Sequence, residues 1–196
     1  MTTRYSEMPI HGGSMKKTPL GLALAFGLGL FTGCVGIPDD LKPVQDFEVQ
    51  RYLGQWYEVA RLDHSFERGL SHVTATYTLR SDGGLKVMNR GYSPATSTWK
   101  VAEGKAFFVN DPRQGHLKVS FFGPFYGSYV VFALDQTSYQ YALVAGPNKS
   151  YLWLLSRTPT LEPGLQSALI AKAKALGFAT EKLILVNQDQ PPPARP

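Results

Sequence analysis

Segments in which apolar and polar residues alternate follow one another along most of the chain, and no other feature constrains the fold as strongly. Within residues 72–80, for example, Val73, Ala75, Tyr77 and Leu79 share one face, while polar side chains occupy the other. A period of two is typical of a strand that buries one face. The same criterion predicts eight strands, at residues 55–62, 72–80, 85–92, 99–110, 117–122, 129–135, 139–145 and 151–157.

Turn signals, and not helices, separate the predicted strands. Residues 81–84 (Ser-Asp-Gly-Gly) are typical of a tight hairpin, Asp111 and Pro112 turn the chain, and residues 123–127 (Gly-Pro-Phe-Tyr-Gly) are predicted to form a loop. Such short connections favour antiparallel pairing between neighbours. Closure of the sheet removes its two bare edges. The pattern therefore predicts an all-β, eight-stranded antiparallel up-and-down barrel with room for one small ligand.

The periodicity changes after the eighth strand. An apolar stripe that includes Leu165 and Leu169 predicts one C-terminal helix, with Thr160 as its N-cap and Gly177 just beyond its end. Residues 183–186 then predict a short final strand on the barrel wall.

The N-terminal residues have the pattern of a secretory signal. Lys16 and Lys17 precede an apolar run at residues 20–31, which is shorter than the roughly 20 residues that a membrane-spanning helix needs. Residues 31–34 (Phe-Thr-Gly-Cys) resemble a bacterial lipobox, in which the signal is cut before the cysteine and the thiol receives a diacylglycerol. This resemblance implies that Cys34 is lipidated; an ordinary cleaved signal with a stray thiol is the alternative.

The residue after the cysteine is Val35, whereas an aspartate at that position usually marks retention at the inner membrane. The resemblance therefore implies a lipid anchor at the outer membrane, with the protein facing the periplasm. The predicted organisation is a mis-assigned start extension at residues 1–14, a lipoprotein signal peptide at 15–33, a tether at 34–46, the barrel domain at 47–188 and a disordered tail at 189–196.

The charge of the chain bears on its partners. The full sequence has a net charge of +5, which falls to +3 when residues 1–33, with three basic residues and one acidic residue, are left out. The remaining basic residues are scattered, whereas nucleic-acid binding favours a clustered stripe. We therefore expect no nucleic-acid partner. Cys34 is the only cysteine, which excludes an internal disulfide.

Three short motifs resemble those of the lipocalin family. Gly54 and Trp56, followed by Tyr57, match the Gly-x-Trp signature at the start of the first strand. The stretch Tyr-Val-Val-Phe-Ala-Leu-Asp, which ends at Asp135, looks like the second motif, and Arg157 looks like the third. All three occur in the family's order, so the resemblance implies a lipocalin barrel.

Further stretches are similar to the bacterial branch of the lipocalins, at residues 60–69, 119–127 and 151–159. That branch consists of outer membrane lipoproteins that bind fatty acids and lysophospholipids. The resemblance covers about residues 47–188 and implies the same class of ligand. One departure is Ala145, because the branch can carry a cysteine in the seventh strand.

Four aromatic residues are candidate ligand contacts. By alternation, Tyr77, Phe108 and Trp153 are predicted to point into the barrel, and Tyr126 lies in a predicted loop near one end. Aromatic rings there would contact an acyl chain, and a phenol would bond to a headgroup. Plain core packing is an equally weighted alternative for each.

The first and third motifs are expected to be structural. The resemblance implies that Arg157 lies over the indole face of Trp56 and that together they close one end of the barrel. Glu58 shares the face of Trp56, so we expect it to be partly buried. A satisfied structural hydrogen bond and a headgroup-binding or proton-sensitive site are both open for this carboxyl.

Motifs for enzymatic chemistry are missing from the sequence. It contains no Gly-x-Ser-x-Gly, no His-Glu-x-x-His and no glycine-rich phosphate loop, and its four histidines lack zinc-site spacing. The polar cluster at residues 63–67 is interpreted as a loop at the barrel mouth. We therefore expect a binding protein with no catalytic residues, cofactor or metal. The alternatives are a structural or stress-response lipoprotein with a filled barrel and, more remotely, a lipid hydrolase; monomer and homodimer both remain open.

Overall fold

A closed antiparallel sheet forms the body of the computed structural model, which describes residues 35–189. The predicted start extension, the signal peptide and Cys34 lie outside these residues, as do residues 190–196 of the predicted tail. The strands are β1 (Gly54–Arg61), β2 (Ser71–Leu79), β3 (Leu85–Ser93), β4 (Thr98–Phe108), β5 (His116–Phe122), β6 (Phe125–Leu134), β7 (Tyr141–Ala145), β8 (Leu152–Ser156) and β9 (Ile184–Leu185).

Strand β1 closes the barrel because it pairs on both sides. Gly54 lies opposite Tyr77 of β2, and Tyr57 lies opposite Ser156 of β8. The other strands from β2 to β8 pair with their neighbours in chain order, all antiparallel. The prediction of an eight-stranded up-and-down barrel is therefore confirmed, and the predicted final strand is β9, which pairs with β1.

Strand β6 begins earlier than the sequence pattern indicated. Residues 123–127 were expected to form a loop, yet Phe125 is already in the strand and pairs with Phe122 of β5. Only Gly123 and Pro124 remain between the two strands. The Gly-Pro signal therefore located the turn correctly, but the aromatic residues after it favour extended backbone.

The main helix, α2 (Pro163–Ala175), starts two residues later than expected. Its N-cap is Glu162 and not Thr160. The Glu162 carboxylate accepts hydrogen bonds from the backbone N–H groups of Gly164 (2.8 Å) and Leu165 (2.7 Å), which lower its pKa. A carboxylate at this position satisfies helix donors that would otherwise lack partners.

Helix α2 covers one part of the outer wall. Its buried residues Leu169 and Ala173 pack in one apolar cluster with Leu143 of β7 and Leu154 of β8. The predicted end of the helix at Gly177 is confirmed, since this glycine has a φ of +80°. A second, four-residue helix, α1 (Val49–Tyr52), precedes β1. Among residues 35–189, no helix is long and apolar enough to cross a membrane.

Residues 35–46, which belong to the predicted tether, lie along the barrel wall. The backbone N–H of Val44 donates to the carbonyl oxygen of Val131 (2.9 Å), and the N–H of Gly115 donates to the carbonyl oxygen of Val44 (2.9 Å). Leu41 is buried in the same apolar cluster as α2. The prolines and aspartates that suggest a tether thus accompany apolar side chains that fix the segment to the wall.

Candidate ligand-binding cavity

One end of the barrel, where β1 begins and β8 ends, is closed by a cation–π contact. The guanidinium carbon of Arg157 lies 4.0 Å from the ring centre of Trp56, which is fully buried. Arg157 also donates to the carbonyl oxygens of Gln55 (2.9 Å) and Arg51 (2.6 Å). The Trp56 indole N–H donates to the carbonyl oxygen of Tyr52 (2.9 Å). The polar groups at this end therefore form hydrogen bonds with one another around the buried ring of Trp56.

Other residues of the lipocalin-like motifs have structural contacts. Gly54 has a φ of +90°, and a Cβ there would lie 3.5 Å from Arg157 Nη1. Tyr57 is half-buried between β2 and β8. The Asp135 carboxylate accepts hydrogen bonds from the backbone N–H groups of Thr137 and Ser138, both at 3.2 Å, and so holds the turn after β6.

Trp56→Ala removes the ring on which Arg157 rests and leaves a hole at the closed end. Truncation of a buried tryptophan costs about 3–5 kcal/mol. We expect this loss in the free energy of unfolding by urea, with a much smaller change in ligand affinity measured at a temperature where the variant is folded.

The half-buried Trp99, on the outer wall of β4, provides the control, and Trp99→Ala is expected to have the smaller effect on stability. Equal melting temperatures for Trp56→Ala and the parent would contradict the structural role of this residue.

A cavity of about 550 Å³ lies within the barrel and opens at the opposite end. This volume falls within the range of small-molecule sites, about 300–1,000 Å³. Most of the lining side chains are apolar, which suits a hydrophobic ligand. The apolar wall includes Val73, Ala75, Leu85, Val87, Ala106, Leu117, Val119 and Leu155.

Three tyrosines form the inner limit of the cavity. The hydroxyl of Tyr129 lies 2.7 Å from the hydroxyl of Tyr52 and 2.7 Å from that of Tyr77. Burial raises the pKa of all three phenols, so they stay neutral. Because these hydroxyls bond to one another, the surface they offer to a ligand is mainly ring carbon.

An arginine inside the barrel holds the loop that crosses the open end. Arg61 donates to the Glu58 carboxylate (2.7 Å) and to the carbonyl oxygens of Glu67 (2.9 Å) and Leu70 (3.3 Å). The β1–β2 loop, residues 62–70, is thereby attached to the interior. Glu58 is thus buried as expected and forms a structural ion pair with Arg61.

A second buried carboxyl shares this environment. Trp153 donates its indole N–H to Glu67 Oε2 (3.0 Å). Burial raises the pKa of both Glu58 and Glu67, although the nearby Arg61 opposes the shift. Two buried acids with one guanidinium between them are most stable when one acid is neutral.

His64 packs as an aromatic ring in the same loop. It is stacked between Phe66 (5.3 Å between ring centres) and Tyr151 (4.9 Å), with Trp153 at 4.7 Å. Burial and the charge of Arg61 lower the pKa of His64 to about 4, so the ring is neutral at physiological pH. The polar cluster at residues 63–67 thus lies in a loop at the barrel mouth, as the sequence indicated.

The raised pKa values of Glu58 and Glu67 make the stability of the protein depend on pH. Their pKa values are raised in the folded state, so their contribution is full below the ordinary carboxyl range and is lost as the pH rises towards the raised values. Glu67→Gln keeps an acceptor for Trp153 and removes one acid. In urea unfolding from about pH 5 to about pH 8, the parent should lose up to about 1.4 kcal/mol per pH unit relative to this variant.

His64 changes the stability in the opposite direction. Its pKa is lowered in the folded state, so its contribution to the stability is lost as the pH falls. This contribution is common to parent and variant and cancels in their difference. Glu103→Gln, at an exposed glutamate on β4, is the matched control and should keep the parent's slope. Identical slopes for Glu67→Gln and the parent would disprove the interpretation that one of the two buried acids stays neutral.

Two of the four candidate ligand contacts lie at the cavity. Tyr77 is at its inner limit, and Trp153 is in its wall beside the β1–β2 loop. Their contact with a ligand stays a prediction. Tyr129 also lines this space, and Arg61 contacts Glu58 and Glu67 in its wall. The sequence pattern did not single out either residue as a ligand contact.

The other two candidates lie elsewhere. Phe108 packs against Phe47 (6.1 Å between ring centres) in the core of the closed end. Tyr126 packs against Phe107 (6.4 Å), with Lys118 Nζ 5.2 Å from its ring centre. Neither lines the cavity. Tyr126 lies in β6, three residues before Tyr129, which lines the cavity. Successive side chains of a strand point to opposite faces, so Tyr126 packs away from the interior.

In the described part of the chain, no three histidine, cysteine or carboxylate side chains are grouped so that they could hold a metal ion. The cavity chemistry rests instead on apolar contact and a few buried polar atoms. Those without a hydrogen-bond partner within residues 35–189 include Arg61 Nε, Asn89 Oδ1 and Ser120 Oγ.

A barrel that is sealed at one end by an Arg–Trp contact and hollow towards the other defines a lipocalin-type binding protein. A family model described as a lipocalin-like domain matches residues 47–188, and the chain belongs to this family. The barrel is also similar to insecticyanin from the tobacco hornworm Manduca sexta, with a TM-score of 0.63, 22% identity and coverage of 79% of this chain and 88% of that one. That likeness bears on the fold alone.

Similarity to bacterial proteins indicates the branch of the lipocalin family to which the chain belongs. The chain is 64% identical over 159 residues to outer membrane lipoprotein Blc of Vibrio cholerae, which covers 81% of this chain and 93% of the relative. It is 54% identical over 151 residues to outer membrane lipoprotein Blc of Escherichia coli K12, covering 77% and 85%. The predicted bacterial branch is therefore confirmed, together with a lipid-anchored location at the outer membrane.

Proposed function

We propose that this protein is an outer membrane lipoprotein that holds a fatty acid or a lysophospholipid in its barrel for storage or transport at the cell envelope. The observation that carries the proposal is the apolar cavity of about 550 Å³, open at one end and closed at the other. Membership of the lipocalin-like family supports a hydrophobic ligand.

The shape and chemistry of the cavity favour a single acyl chain. Burial of each methylene contributes about 0.8 kcal/mol in gross terms, so a chain of about 16 carbons has a large driving force without any charged contact. Ordering of the chain and loss of its translational freedom offset part of this gain. The tyrosine rings at the inner limit would meet the methyl end.

The polar end of the ligand would lie at the mouth. Lys100 of β4 lines the cavity close to its opening and carries the positive charge that suits a carboxylate or phosphate. Asn89, also in the lining, has an amide oxygen without a partner among residues 35–189, and this oxygen can accept a hydrogen bond from a glycerol hydroxyl. The location of these groups favours a ligand that enters tail first.

Ala75→Phe tests the cavity directly, because Ala75 lines it and a phenyl ring would occupy the space of several methylenes. We expect affinity for palmitate and for lysophosphatidylcholine, measured by displacement of a fluorescent fatty acid, to fall at least about tenfold, equivalent to about 1.4 kcal/mol. Ala168→Phe makes the same change at an exposed position on α2 and should bind as the parent does.

Native mass spectrometry of the parent protein distinguishes the lipid carrier from the two alternative functions, a structural lipoprotein and a lipid hydrolase. A lipid bound in one-to-one ratio supports the carrier, whereas a barrel that binds none under the same conditions would favour a structural envelope lipoprotein. Release of fatty acid with turnover would favour a hydrolase. Equal affinities for Ala75→Phe and Ala168→Phe would contradict binding within the barrel.

The lipid anchor has its own test. Cys34→Ser removes the thiol proposed to carry the diacylglycerol, so the protein should move from the outer membrane fraction to the soluble fraction after a salt wash. Thr32→Ser, a conservative change in the lipobox-like sequence, should leave it in the membrane. Intact-protein mass spectrometry measures the modification directly, because the parent should be heavier than Cys34→Ser by the mass of the lipid. A mass difference equal to that of the cysteine-to-serine substitution alone would contradict the anchor.

A further inference from the structure

Three exposed phenylalanines surround the mouth of the cavity. Phe66 in the β1–β2 loop is 59% exposed, and Phe122 and Phe125 at the β5–β6 turn are 81% and 66% exposed. All three belong to the cavity lining at its opening. Large apolar side chains that cluster at one edge of a protein mark a contact surface.

The β5–β6 turn is the most apolar projection of this rim. Residues 121–127 (Phe-Phe-Gly-Pro-Phe-Tyr-Gly) contain no charged side chain. Phe122 and Phe125 pair directly across the turn, so the two rings flank Gly123 and Pro124 at the tip of a hairpin. A short aromatic projection of this kind suits the boundary between lipid headgroups and acyl chains.

The start of the described chain lies beside the same hairpin. The carbonyl oxygen of Val35 is 3.5 Å from Ser128 Oγ, which donates to it, and 3.2 Å from His116 Nε2. Ser128 follows Phe125 by three residues in β6, about 10 Å of strand. Cys34 is one residue before Val35, about 3.8 Å between Cα atoms. The proposed anchor is therefore attached beside the β5–β6 hairpin, whose aromatic tip is about 10 Å of strand from the Val35 contact with Ser128.

The segment after Val35 allows the barrel little freedom to move away from the anchor. Ile37 and Asp39 border a surface crevice with Pro147 and Lys149 of the β7–β8 loop, which also lies at the open end. Asp40 is paired with Lys149 at 3.8 Å. The chain then continues along the wall towards the closed end.

We propose that the open end of the barrel, led by Phe122 and Phe125, docks on the surface of the lipid bilayer that holds the anchor. This inference rests on the proposed lipidation of Cys34. The anchor fixes which end of the barrel is near the membrane, and the phenylalanines enter the headgroup region. The cavity mouth then faces the lipids themselves, and a single-chain lipid passes into the barrel without crossing bulk water.

The test places a fluorescent probe at the tip. In the full chain, lipidation consumes the Cys34 thiol, so an introduced cysteine is the one site for a thiol-reactive NBD label. Gly123→Cys suits the tip, because a Cβ there meets no atom within 4 Å. Ser81→Cys, in the β2–β3 turn at the closed end, is the control. Both proteins are reconstituted in phosphatidylethanolamine and phosphatidylglycerol vesicles that contain nitroxide-labelled lipid.

We expect the probe at position 123 to shift to shorter emission wavelength and to be quenched by the lipid nitroxide, while the probe at position 81 behaves as in water. Phe122→Ser combined with Phe125→Ser should return the tip probe to water. Leu79→Ser changes a 50% exposed side chain at the closed end and should have no effect. Far-ultraviolet circular dichroism and the midpoint of urea unfolding check that the serine variants remain folded.

A tip probe that stays in water on these vesicles would overturn the docking, as would a buried probe that both serine substitutions leave unchanged. A probe that is buried in native membranes alone would assign the surface to a protein partner and would overturn it too. An intact mass that shows no lipid on Cys34 would contradict the proposed anchor and not the docking. In that case a tip probe that enters the vesicles would still support docking, and a tip probe that stays in water would still oppose it.

Discussion

The contact between Arg157 and Trp56 is the interaction on which the rest of the barrel depends. It joins the end of β8 to the start of β1, which are distant in sequence. The guanidinium also ties in backbone carbonyl groups at Arg51, Gln55 and Tyr139. One end of the barrel is thus closed by groups that bond to one another. The apolar cavity at the other end therefore does not have to be filled by the protein's own side chains.

The features that the sequence predicted well are set by local chemistry. Alternation located the strand observed at Ser71–Leu79 to within one residue, because burial of one face needs only a period of two. Gly177 marked the end of α2, because few other residues adopt its backbone conformation. The start of α2 was predicted two residues too early, because the N-cap is the Glu162 carboxylate and not Thr160.

The features that the sequence did not reveal depend on irregularity or on distant contacts. Strict alternation from Trp56 and Glu58 would turn Arg61 outward, but the register of β1 against β8 shifts between Glu58 and Ala60, and Arg61 lies inside. One extra residue therefore brings a charge into the barrel and fixes the loop at its mouth. Likewise, the packing of residues 35–46 follows from carbonyl and N–H groups that other strands supply, such as Val131.

The packing of that N-terminal segment also limits the range over which the proposed carrier would work. A lipoprotein on a long linker can sweep through the periplasm and meet a second membrane. Here the chain is bound to the barrel wall from Val44 back to Val35, one residue from Cys34. With the proposed anchor on Cys34, movement would be confined to lateral diffusion in one leaflet, so the proposed lipid cargo would be exchanged locally and not between two membranes.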